Sequence, residues 1–164
     1  MRRGLCTGLI AAFLVAAPAQ ARTLPVLFAK QIRAINAAPH APPVLLPRSM
    51  SLDAKRVFAS GGPAGASYSL SVGAVPHCRG ANVCFVAEFT AAPAKTVYGT
   101  RVTVRGAAKA GFVPLSCGAS CSPPQIDFLV HGIRYTIQAK LNTSRGDRAA
   151  LIHAAESAIR AGPR

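Results

Sequence analysis

The stretch Cys117–Leu141, CGASCSPPQIDFLVHGIRYTIQAKL, decides how this chain folds. Ile126, Phe128 and Val130 alternate with Asp127 and Leu129, while Ile133, Tyr135, Ile137, Ala139 and Leu141 alternate with Arg134, Thr136, Gln138 and Lys140. Period-two alternation is what a strand with one buried face requires. His131 and Gly132 separate the runs, and a two-residue loop there pairs Val130 with Ile133, Phe128 with Tyr135 and Ile126 with Ile137. A slip of one residue would set apolar against polar throughout, so pattern and turn length specify one register. The other face, with Asp127, Leu129, Arg134, Thr136, Gln138 and Lys140, is expected to meet water.

Working outward, three further segments read as half-buried strands: Tyr68, Leu70 and Val72 between serines, Val83 to Phe89, and Val102 and Val104 between Arg101, Thr103 and Arg105. Gly111–Leu115 is a short apolar run that Pro114 confines to an edge or a strand end. Lys55–Phe58 opens a further short strand, GGPAG marks a loop, and TAAPAKTVYG is a turn-rich connector. Near the start, TLPVLFAKQIRAINAA predicts a helix with Val26, Leu27, Ile32 and Ile35 at helical spacing and Pro25 in its first turn. A connector with four prolines follows, carrying Val44–Leu46 as an edge strand. At the end, Leu151, Ala154, Ala155, Ala158 and Ile159 form a helical stripe. Ser144 and Asp147 resemble a capping box, and Gly162-Pro163 stops the helix. The fold class is therefore α+β: an antiparallel sheet of about five or six strands, with the C-terminal helix packed on one face and a helix at the N-terminal side.

The first residues carry an address. Met1-Arg2-Arg3, an apolar run too short to span a bilayer comfortably and Ala19-Gln20-Ala21 read as a secretory leader cleaved after Ala21, taking Cys6 with it, with an uncleaved membrane anchor as the alternative. The organisation expected is a leader over 1–21, a helix and Pro-rich connector over 22–43, and the α+β domain over 44–164. Of 164 residues, 143 remain, enough for one domain. Without Arg2 and Arg3 the chain has 17 Lys and Arg against five acidic residues, a formal charge of +12.

Four cysteines then remain, Cys78, Cys84, Cys117 and Cys121, an even number in an exported domain, which reads as disulfides. Three connectivities are open; local pairing of Cys78 with Cys84 and Cys117 with Cys121 is favoured because each closes a turn. The spacings C-x5-C and C-x3-C differ from common zinc sites, so no metal is expected, and CGASC has one residue too many for a thiol redox motif. GGPAG lacks the Lys-Ser/Thr ending of a phosphate loop, so no nucleotide or other cofactor is assigned.

The segment CGASCSPPQIDFLVHGIRYTIQAKL and the closing AAESAIRAGPR resemble a family of uncharacterised exported bacterial proteins. More distantly, a short strand, a glycine turn, an aromatic strand x-Y-T-I and a final helix resemble extracytoplasmic domains of anti-sigma-factor-like proteins. What the resemblance implies is an exported α+β module without an established activity, and no catalytic residue is carried over.

Asp53, Glu88, Asp127, Asp147 and Glu156 form no pair that sequence marks as acid and base, and no G-x-S-x-G elbow accompanies His40, His77, His131 or His153. The expectation is a non-enzymatic module in the periplasm or secreted. It would bind an anionic envelope polymer, lipid head groups or an acidic protein, and not nucleic acid, through a basic sheet face of Arg101, Arg105, Arg134 and Lys140. The alternative is a small secreted hydrolase with an unrecognised site. The exported chain is expected to begin at Arg22, as an intact-mass measurement reads directly; a product retaining residues 1–21 would make the leader an anchor instead.

Overall fold

The computed structural model describes residues 22–78 and 81–164, so the leader expected over 1–21 lies outside it. In chain order the elements are β1 (Arg22–Thr23), α1 (Leu24–Leu27), α2 (Ala29–Asn36), β2 (Ser49–Met50), β3 (Phe58–Ala64), β4 (Ser67–Gly73) and β5 (Phe85–Pro93). They continue with β6 (Thr100–Arg101), β7 (Lys109–Val113), β8 (Ser116–Cys117), β9 (Cys121–Ser122), β10 (Gln125–Val130), β11 (Ile133–Ala139) and α3 (Asp147–Ala161). Seven strands form one antiparallel sheet in the order β3-β4-β5-β11-β10-β7-β6.

The register read from the hairpin holds: Val130 faces Ile133, Phe128 faces Tyr135 and Ile126 faces Ile137. The turn between them places His131 at φ 51° and Gly132 at φ 78°, the pair of left-handed residues that suits a right-twisted hairpin. Because side chains of paired residues share a face, the pairings extend apolar rows across the sheet. Leu70, Phe89, Ile137, Ile126 and Phe112 form one, and Tyr68, Ala91, Tyr135, Phe128 and Ala110 the next.

Two covers lie on this apolar side. Leu24, Phe28, Ile32 and Ile35 are buried at spacings of four, four and three, and the Phe28 ring meets Phe89 edge-on at 5.9 Å. The expected stripe ran through Val26, which is 75 % exposed; the helix breaks at Phe28, and it is Leu24 and Phe28 that turn inward. On the other half of the sheet α3 packs against β10 with Leu151, Ala154, Ala155 and Ala158, whose small side chains permit a close approach. Val44, Leu45 and Leu46 are not an edge strand. They run through the core as irregular backbone, and the backbone N–H of Leu45 donates to the Tyr68 hydroxyl at 3.3 Å. The Tyr135 hydroxyl donates to the carbonyl of Pro43 at 3.1 Å. Thus the polar ends of two core tyrosines satisfy a connector whose prolines deny it a ladder of its own.

Two further expectations change. GGPAG is mostly not a loop: Gly61, Gly62, Pro63 and Ala64 lie within β3, an edge strand, where proline is tolerated, and only Gly65 lies in the turn. Nor does Ser144 cap α3, because Gly146 occupies the N-cap position without a side-chain bond, although Asp147 does stand in the first turn.

Burial pushes the Tyr135 hydroxyl up to about 12 and raises Tyr68 further still, despite the Leu45 bond that opposes it. Both folded values exceed the unfolded one, so this stability is whole below pH about 10 and declines as pH rises through the folded values. Alkaline unfolding is therefore expected to begin near pH 10, and Tyr135→Phe to flatten the decline. A stability that does not change between about pH 9 and about pH 11 would count against it.

Candidate binding surface on the polar side of the sheet

The face opposite the helices was expected to be open to water, and half of it is not. Asp127 is fully buried and Leu129 is 5 % exposed. The reason is topological. After β5, in the middle of the sheet, the next strand is β6 at the far edge, so residues 94–99 must cross one face, and they cross the polar one. This strap runs so close to β7 that a Cβ at Gly111 would lie 2.0 Å from the Tyr98 carbonyl oxygen, and one at Gly99 2.4 Å from that of Phe112. Gly99, at φ 87°, also has the left-handed backbone that glycine alone tolerates easily.

Asp127 fastens the strap. Its Oδ2 accepts the backbone N–H of Tyr98 at 3.0 Å, and its Oδ1 accepts Gln125 Nε2 and Thr136 Oγ1, each at 2.8 Å. Arg134 Nε stands 3.9 Å from Oδ2, and its guanidinium lies 4.6 Å from the centroid of the Tyr98 ring. A buried carboxylate is tolerable only when its lone pairs are answered, and here they are answered by strap, strand and cation together. Asp127 therefore organises the fold, and its strand position alone did not reveal that.

The four basic residues expected to share a face are distributed as follows. Arg101 lies in one row with Gly111, Asp127 and Thr136, on the polar side, and is exposed. Arg134 lies on the same face but is engaged with Asp127 and Tyr98. Lys140 is anchored, its Nζ donating to the carbonyl of Asn82. Arg105 stands by the helix instead: its side chain is 83 % exposed and pairs with Glu156 of α3 at 3.7 Å, while its backbone N–H donates to the same carboxylate at 3.2 Å. Sequence reasoning missed Lys95, in the strap, and Lys109, whose Nζ donates to the Lys95 carbonyl at 3.5 Å. With Arg101 and the exposed Tyr98 they make a cationic margin around the strap. The signal was available in the glycines of the connector and of β7, which mark a close backbone crossing.

The open half of this face is a cleft of about 300 Å³ between two disulfide loops, lined by Ser71, Asn82, Phe85, Glu88, Ser122 and Gln138 among others. Cys78 bonds Cys84 and Cys117 bonds Cys121, the local pairing favoured from spacing. Asn82 Nδ2 donates to the Cys121 carbonyl, tying one loop to the other. Gln138 Nε2 donates to Ser122 Oγ at 3.2 Å and to the Pro123 carbonyl at 3.1 Å, and Ser69 donates to Glu88 at 2.8 Å. Two disulfides suit an oxidising extracytoplasmic setting. Among the described residues no three His, Cys, Asp or Glu side chains come together as a metal site, and no helix is long and apolar enough to cross a membrane.

Asp127→Ala is expected to cost roughly 3 kcal/mol, since it leaves three donors and a cation without their acceptor. Hydrogen exchange at the Tyr98 amide should accelerate with it, while the β10–β11 amides stay protected. Unchanged stability in a denaturant titration would show that the strap is held by something else. Comparison of the chain with protein-family models, with curated proteins and with solved structures finds no match.

Proposed function

We propose that this is an exported, non-enzymatic binding module that holds an anionic envelope polymer, a head group or an acidic protein against the cationic margin of its polar sheet face. One observation carries the reading: three of the five acidic residues are already engaged by neighbours in the fold. Asp127 is buried under the strap, Glu156 pairs with Arg105, and Glu88 accepts from Ser69. The 17 Lys and Arg of residues 22–164, a formal net charge of +12 with all five acids counted, thus meet little opposing charge at the surface. Such a field draws anions from a distance and weakens as salt shortens its reach. Tyr98 adds an exposed ring in the middle of the margin.

Of the four residues singled out in sequence, Arg101 remains the useful contact in this reading, joined by Lys95 and Lys109. Arg134 and Lys140 serve the strap and the disulfide loop. The hydrolase alternative is carried less far, because Glu88 is the one carboxylate lining the cleft and its neighbours there are hydroxyls and amides.

Capture of anionic envelope material is expected to be strong at low salt and lost near molar salt, where the screening length falls to about 3 Å. Lys95→Glu with Arg101→Glu should abolish capture without unfolding the chain, as neither side chain holds the core. Capture indifferent to both salt and this double exchange would rule the reading out.

A further inference from the structure

We propose that a second site, at the other end of β11 from the strap, binds a phosphomonoester group. Just beyond β11, the chain is zipped to the segment after β2. Leu52 and Leu141 form an antiparallel bridge, Asn142 N donates to Ser51 O at 3.1 Å and Asp53 N to Lys140 O at 3.1 Å. These bonds hold the two segments side by side against the opening turns of α3 and leave a pocket of about 330 Å³ between them. That volume is at the lower end of small-molecule sites.

The polar lining consists of Ser49, Ser51, Thr143, Ser144, Arg145 and His153, with no carboxylate among the lining residues. Met50 and Leu141 supply apolar wall, and Ala150 and Ala154 of α3, being small, leave the pocket its depth. Thr143 Oγ1 accepts the backbone N–H of Arg145 at 3.2 Å, which fixes where Arg145 departs from the loop. The side chains of Ser49, Ser51, Ser144, Arg145 and His153 make no hydrogen bond to another described residue, so their donors are available. Ser144, released from the capping role its spacing suggested, is one of them.

Donor chemistry selects the ligand class. A planar guanidinium, an imidazole and several hydroxyls around one pocket, with no acid among its lining residues, suit a group with several charged oxygens pointing in different directions. A terminal phosphoryl group has three such oxygens, and a carboxylate only two in one plane. The inference shares with the preceding reading the sign of the ligand's charge and rests on it in that respect alone, for it uses none of the strap residues.

The test is a calorimetric titration of the exported chain with glycerol 3-phosphate, with glycerol at matched ionic strength as control. In parallel, binding is measured to phosphatidylcholine vesicles with and without phosphatidic acid. Saturable binding of glycerol 3-phosphate is expected, weakened about tenfold by Arg145→Ala and by His153→Ala. Melting temperatures should be unchanged, because neither side chain has an internal partner to lose. Binding to phosphatidic acid vesicles alone, lost in the same two variants, would support the site and make its ligand a lipid head group. Absence of saturable binding to both probes, or binding that survives in both variants, overturns the proposal. The Lys95→Glu, Arg101→Glu chain separates the two sites: it should lose capture of envelope material and still bind glycerol 3-phosphate. Failure of one site therefore leaves the other readable.

Discussion

A chain that leaves the middle of a sheet and resumes at its far edge has to lay backbone across one face, and backbone laid on a sheet brings polar groups into contact with it. Here the crossing is made tolerable by one carboxylate. Asp127 answers the Tyr98 amide, two neighbouring side chains and the Arg134 guanidinium at once. Gly111 gives up its side chain so that the strap can approach. The two meanders, β3-β4-β5 and β6-β7-β10-β11, are then one sheet joined at β5 and β11, with the connection between them locked down on the side away from the helices.

With one face partly roofed by its own connection, the opposite face can be given wholly to the core. It receives helices from both ends of the described chain, α2 toward β3 and α3 over β10. The C-terminal residue also meets the end of α2 and the connector after it: Arg164 N donates to the Val44 carbonyl at 3.1 Å, and Asn36 Nδ2 to the Arg164 carbonyl at 2.8 Å. Between them the irregular Val44–Leu46 run is buried, and it is the hydroxyls of Tyr68 and Tyr135 that supply polar partners there. Burial without such partners would cost more than the apolar side chains return.

Charge is distributed by the same economy of partners. Acidic residues are few and mostly turned to internal use, so the basic residues divide into those that build and those left at the surface. Arg134, Lys140 and Arg105 brace the strap, a disulfide loop and α3 respectively. Lys95 and Arg101 face outward around the strap, and Arg145 with His153 face a pocket at the far end. Residue type alone does not separate these groups, because a guanidinium serves equally as a brace or a contact.

The sequence by itself determined the α+β class, the β10–β11 register, the buried stripe of α3 and the sense of pairing the cysteines locally. Each of these is set by neighbours within a few residues: side-chain alternation, a two-residue turn, helical spacing, short loops. It did not reveal that Asp127 would be buried, that GGPA would be strand or that Ser144 would leave the cap to Gly146, nor that Arg105 would stand apart from Arg101. Those depend on which distant strands become neighbours and where the 94–99 strap crosses. That choice is made by the packing of the whole sheet, and a local pattern of polar and apolar residues carries no record of it.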